Sequence, residues 1–160
     1  MIRPVLLSDA NSICDIYNEY IENSTITFEE TAVTTNEMTR RIEEATKDYP
    51  WLVCEVDGKV IGYTCGKRWR DRAAYRKSVE TGIYLDSNFL GRGFGTMLKK
   101  EILEILREQS YHAVISGIAL PNPASVALNE KFGFEKVAHF KEVGYKFGRW
   151  VDVGYWELIL

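Results

Sequence analysis

Hydrophobic residues along this chain recur at helical spacing in some stretches and fill short strand-length runs in others. Ile2–Leu6 is a strand candidate. Ser8 or Asp9 suits a helix N-cap, and Ile13, Ile16, Tyr17, Tyr20 and Ile21 then share one apolar helix face. Ser24–Glu30 is polar and aromatic and reads as loop or a short extension. Thr34-Thr35-Asn36-Glu37 has the form of a capping box, with Met38, Ile42 and Ala45 following at helical spacing until Pro50. Trp51–Val56 and Val60–Arg68 read as strands joined at Asp57-Gly58, a strong hairpin signal. Ser78–Leu85 is the next strand. A helix from about Gly93 to Gln109 turns Met97, Leu98, Ile102, Leu103 and Leu106 inward. His112–Ile118 is a strand, and Pro123 opens a helix that Gly133 closes after Phe132. Glu135–Val143 and Val151–Leu160 finish the chain as strands. This order implies an α/β (α+β) fold, a mixed, twisted sheet of about seven strands with about four helices on its faces.

The stretch between the fourth strand and its helix reads Leu90-Gly91-Arg92-Gly93-Phe94-Gly95-Thr96. A glycine-rich turn opening a helix leaves unpaired backbone N–H groups at the positive end of the helix dipole, a seat for phosphate or pyrophosphate. The glycines alone fit a plain connection equally well. Their spacing is neither the Rossmann fingerprint nor a Walker loop.

Length and composition add bounds. The 160 residues read as one domain, 1–160, of ordinary globular composition. A formal net charge of −3 gives no reason to expect nucleic acid or an anionic membrane as partner. No apolar run approaches the length of a membrane span, and the N-terminal residues lack a signal-peptide pattern, so a cytoplasmic location is expected. The cysteines Cys14, Cys54 and Cys65 fit no zinc spacing and are expected as buried free thiols. No metal is expected, since neither His112 nor His139 has a ligand-like neighbour pattern.

The glycine turn and the segment Asn122, Ser125, Gly133, Phe134 together resemble the GNAT superfamily of acetyl-CoA-dependent N-acetyltransferases. Leu90 stands where the family usually has Gln or Arg, and Asn129 where it usually has Tyr. A narrower resemblance, to phosphinothricin and methionine sulfoximine N-acetyltransferases, rests on Thr25–Glu29, Ala74-Tyr75, Val79-Glu80-Thr81 and Glu142–Trp150. It implies acetyl transfer from acetyl-CoA to the α-amine of a small amino acid analogue. The pantetheine arm would lie along Ile83-Tyr84-Leu85, with the Leu85 N–H polarising the acetyl carbonyl. Gly91, Arg92, Gly93, Phe94, Gly95 and Thr96 would hold the pyrophosphate, with Asn122 and Lys131 as further contacts. Glu80 is the expected base, because an ammonium must lose a proton before its nitrogen can attack. Asn129 cannot serve as an acid, though it can donate a hydrogen bond to sulfur.

The basic run from Lys67 to Lys77 reads either as a solvated loop or as a clamp for an acidic group. For the clamp, Arg70, Arg72 and Tyr75 are the chosen residues. Phe28 and Glu29 would form the opposite wall, with Glu29 facing an ammonium, and Tyr145 and Phe147 would close the pocket. The resemblance also implies a homodimer. Acetylation of a protein N-terminus or lysine, and a non-catalytic CoA-binding module, remain as alternatives.

Overall fold

The computed structural model describes residues 1–160. Its elements follow the expected order: β1 (Ile2–Pro4), α1 (Ala10–Asn23), α2 (Thr35–Ala45), β2 (Trp51–Val56), β3 (Lys59–Arg68), β4 (Ser78–Leu85), α3 (Phe94–Glu108), β5 (Ala113–Ala119), α4 (Pro123–Lys131), β6 (Glu135–Lys146) and β7 (Arg149–Ile159). The strands form one seven-stranded sheet in the order β1-β2-β3-β4-β5-β7-β6. Only β4 and β5 run parallel; every other neighbouring pair is antiparallel.

Each face of the sheet carries its own core. Trp51, Val53, Val60 and Tyr63 meet α1 and α2 through Ile13, Ile16, Met38 and Ile42. Leu52, Cys54, Ile61, Val79 and Val114 meet α3 through Leu98, Ile102, Leu103 and Leu106. Successive strand residues point to opposite faces, so β2 is buried on both sides, and its Trp51–Cys54 run is apolar without alternation. Asp57 and Gly58 both take positive φ, the backbone of a tight hairpin turn. Thr34 caps α2 by accepting from the Glu37 N–H at 3.2 Å. The Glu37 carboxylate does not complete a capping box; it pairs with Arg40 and Arg41 instead.

Three further expectations need correction. Met97 is 48% exposed, whereas its neighbour Lys99 is 1% exposed and sits in the core. The last hairpin is longer than the pattern suggested: β6 runs to Lys146, and Phe147 and Gly148, both at positive φ, make its turn. The pattern was obscured because β6 breaks register between Phe140 and Gly144, where Glu142 adopts positive φ. Cys65 is only partly buried, unlike Cys14 and Cys54.

Candidate active site

The site begins where two strands part. β4 and β5 pair only at Ser78–Ala113, Val79–Val114 and Glu80–Ile115. Beyond Glu80 they diverge, and β4 continues to Leu85 with β3 as its one partner. The Asp86 N–H donates to the Ile61 carbonyl at 2.8 Å, which fixes the hydrogen-bonding phase of the β3–β4 ladder. In an antiparallel pair these bonds alternate, so Tyr84 turns its backbone groups to β3, and Ile83 and Leu85 turn theirs into the gap. The Leu85 carbonyl there accepts from the Tyr20 hydroxyl at 2.7 Å. The remaining backbone groups of Ile83 and Leu85 have no strand partner, and this is the stretch where a pantetheine arm was expected.

The cleft between the strands encloses about 190 Å³. Thr81, Ile83 and Leu85 line it from β4, Ser116 and Ile118 from β5, and Asn122, Ser125 and Asn129 from the α4 region. At its outer end lies the glycine turn. Gly91 and Gly93 take φ of +70° and +87°, conformations open to glycine at little cost. Gly93 is the N-cap of α3, and no side chain caps the helix. The first N–H groups of α3 therefore lack side-chain partners, and the first turn holds no acidic residue. Arg92 is exposed, its guanidinium 5.1 Å from the Phe89 ring centroid and 5.6 Å from that of Phe94. Asn122 caps α4 by accepting from the Ser125 N–H at 3.1 Å. Lys131 sits in the last turn of α4, exposed, and does not line the cleft.

Glu80 lies on the other face of β4, with Gly82 and Tyr84. The Tyr84 ring packs on Tyr17 and Tyr20 of α1. Glu80 Oε1 is 3.1 Å from Lys67 Nζ. Across the parting strands it borders Gly117, whose missing side chain leaves room for Glu80 and the Tyr155 ring. Tyr155 meets Trp69 and Phe140 edge-on, at 5.5 and 5.7 Å between centroids, and Arg70 lies 4.5 Å over the Trp69 ring. Tyr155 and Phe140 escaped the sequence reading because both look like ordinary strand aromatics. Arg72 and Tyr75 are exposed in the loop between β3 and β4, and the basic residues there form ion pairs only through Lys67 and Arg68.

Phe28 is 41% exposed, and its ring lies against the bare backbone of Gly144. Lys146, buried on the same face of β6, donates to the Thr27 carbonyl at 2.8 Å and ties this loop down. Glu29, expected to face an ammonium, is instead committed within the protein. Arg41 grips both its oxygens at 2.7 and 3.0 Å, and Tyr17 donates to it. Arg41 holds the Glu29 carboxyl below its ordinary pKa. Tyr145, expected to close the pocket, projects from the opposite face of β6 to Gly144 and packs on Trp150, 4.8 Å between centroids. The structure thus gathers Glu80 with Tyr155, Trp69 and Arg70, and leaves Tyr145 out.

The pattern matches the Acetyltransferase (GNAT) domain over residues 2–154. The chain belongs to the GNAT acetyltransferase family. Among its relatives, a phosphinothricin N-acetyltransferase from Streptomyces viridochromogenes is 37% identical over 156 residues, 98% of this chain and 85% of that protein. A GNAT superfamily phosphinothricin acetyltransferase from Sinorhizobium meliloti, solved in complex with acetyl-CoA, is 34% identical with a TM-score of 0.97. That match covers 100% of this chain and 88% of the other. A ribosomal-protein-alanine N-acetyltransferase from Brucella melitensis is 37% identical with a TM-score of 0.98, covering 100% and 99% of the chains. Acetyl-CoA is thus the acetyl donor of this GNAT acetyltransferase. The uncapped α3 terminus suits its pyrophosphate, and the free edge at Ile83 and Leu85 suits its pantetheine amides.

Proposed function

We propose that the protein moves an acetyl group from acetyl-CoA to the α-amine of a small amino acid analogue of the phosphinothricin, methionine sulfoximine or methionine sulfone type. The observation that carries this reading is the parting of β4 from β5. It opens a passage between a phosphate seat on one face of the sheet and Glu80 with its arginine-flanked aromatic wall on the other.

Acetyl-CoA, when bound, supplies the acetyl group as a thioester. Glu80 accepts the proton that the incoming ammonium must lose, directly or through water. Arg70, Arg72 and Tyr75 hold the substrate carboxylate; a guanidinium fork matches it bidentately. A backbone N–H stabilises the carbonyl oxygen as it becomes anionic. The sequence pointed to Leu85 for this role, but strand geometry favours Ile83. At about 3.3 Å per residue, Leu85 lies about 16 Å along the strand from Glu80 and Ile83 about 10 Å, and only the shorter span suits one reacting centre. Leu85 is then left to pair with the pantetheine arm. The exposed apolar strip of Val143, Tyr145, Phe147 and Trp150 on the last hairpin supports a homodimer, and the unpaired cysteines suit a reducing cytoplasm.

The alanine-acetylating relative favours a second acceptor, a protein N-terminus. A thiol-release assay with acetyl-CoA against amino acids, sulfones, sulfoximines and alanine-initiated peptides decides between them. Turnover is expected with the free amino acid analogues. Turnover confined to peptides would refute the proposed acceptor, and none with any amine would refute the reading as a whole.

A further inference from the structure

Lys99 is the one charged residue lining the cleft, and nothing in the sequence marks it. It occupies a core-facing position on α3 and is 1% exposed. Its ammonium lies 3.2 Å from Ser116 Oγ and 3.3 Å from Thr81 Oγ1, and 4.1 Å from the centre of the Phe134 ring. A buried cation ordinarily requires an anion beside it. Here β4 contributes Thr81, β5 contributes Ser116, α4 contributes Asn129, and Phe134 closes the side; none is acidic. Tyr20 and Tyr84 are the only other titratable residues lining the cleft. Burial pushes the Lys99 ammonium down to about 7.

Its place in the cleft is specific. Gly95, in the glycine turn, borders Leu85, so a pantetheine arm starting at that turn passes Leu85 and Ile83 before reaching Thr81. Thr81 and Ser116 are the first residues beyond the last paired rung of β4 and β5. Lys99 therefore sits at the apex of the cleft, where such an arm ends. The neighbouring Asn129 is poorly suited to receive negative charge. One of its two amide N–H groups already donates to the Ser125 carbonyl at 2.8 Å, its Oδ1 is buried without a donor, and the group carries neither charge nor transferable proton.

Building on the acetyl-transfer reading, we infer that Lys99 is the catalytic residue that receives the departing CoA sulfur, supplying both counter-charge and proton. As the acceptor nitrogen bonds to the carbonyl carbon, the carbon–sulfur bond breaks and its electron pair passes to sulfur. Lys99 gives that sulfur one proton and becomes a neutral amine. The nitrogen loses two protons in all, through Glu80 to solvent, and solvent returns one to Lys99. The net products are the amide, CoA thiol and one released proton.

The test titrates the thiol of bound CoA by ultraviolet thiolate absorbance, after calorimetry has shown that CoA binds. Absence of CoA binding refutes the acetyl-transfer reading itself. Given binding, thiolate absorbance of the wild-type complex should set in about one pH unit or more below its onset for free CoA in the same buffer, because thiolate and ammonium titrate as a coupled pair and each stabilises the other's charged form. Lys99→Met should abolish that shift and lower kcat about tenfold or more, with KM for acetyl-CoA nearly unchanged. The fall of kcat at alkaline pH should be present in the wild type and absent from the variant. A bound thiol that titrates as free CoA does in the wild-type protein overturns the inference without recourse to any variant. So does a Lys99→Met enzyme with undiminished kcat.

Discussion

Replacing Lys99 with methionine should stabilise the folded protein, by an amount that depends on pH. Burial lowers the Lys99 pKa from 10.5 to about 7. At about 1.36 kcal/mol per unit, carrying the charged form into the core costs on the order of 4 to 5 kcal/mol. The Thr81 and Ser116 hydroxyls and the Phe134 face offset part of this cost, so a net gain of about 2 to 4 kcal/mol is expected. For a chain of this size that corresponds to a Tm rise of roughly 5–15 °C. Methionine has a similar reach and no charge, and the two hydroxyls left behind lie 3.4 Å apart and can bond to each other. Between pH 7 and 10.5 the unfolded chain holds a proton on Lys99 that the folded chain does not, so wild-type stability rises with pH across that window. The penalty is complete below pH 7 and disappears above 10.5. The gap between variant and wild type should therefore shrink by about 2 kcal/mol from pH 6 to pH 8.5. Urea and thermal unfolding followed by circular dichroism at several pH values measure both. A variant no more stable than wild type at pH 6, or a gap indifferent to pH, would show that Lys99 is not a costly buried cation.

Five further substitutions probe the rest of the site. A Cβ at Gly95 would come no closer than 3.5 Å to the protein, so Gly95→Ala should leave Tm unchanged or slightly raised while increasing KM for acetyl-CoA about tenfold; a parallel fall in Tm would contradict the phosphate role. A Cβ at Gly144 would collide with the Phe28 ring, so Gly144→Ala should destabilise by about 1–3 kcal/mol. Adding Phe28→Ala should recover part of that loss, and strictly additive losses would refute the contact. Arg72→Ala should raise KM for the amino acid with little change in kcat, and unchanged kinetics in both constants would remove the carboxylate clamp. Asn129→Ala should retain most of kcat, since the sulfur is assigned to Lys99; a variant that still binds acetyl-CoA but does not turn over would shift that role to Asn129.

The elements were legible because each is short and locally consistent. The helix faces, the Asp57-Gly58 turn and the glycine-opened α3 are written in neighbouring residues, and so are the glycine turn and the Glu80 carboxylate that we propose as phosphate seat and base. The late hairpin was blurred by an irregular register, which local alternation does not encode. The site's polarity was decided in three dimensions. Glu29 looked free until Arg41, on a different element, closed on it, and Tyr145 was turned away by the two-residue period of β6. Lys99 stands at helical spacing from Leu103 and Leu106, but no local pattern tells what its ammonium will meet. Only the packing of α3 against two diverging strands buries its charge beside no anion. Periodicity dictates which face of an element is apolar, whereas the charge that a face meets across the core depends on contacts between residues distant in the chain.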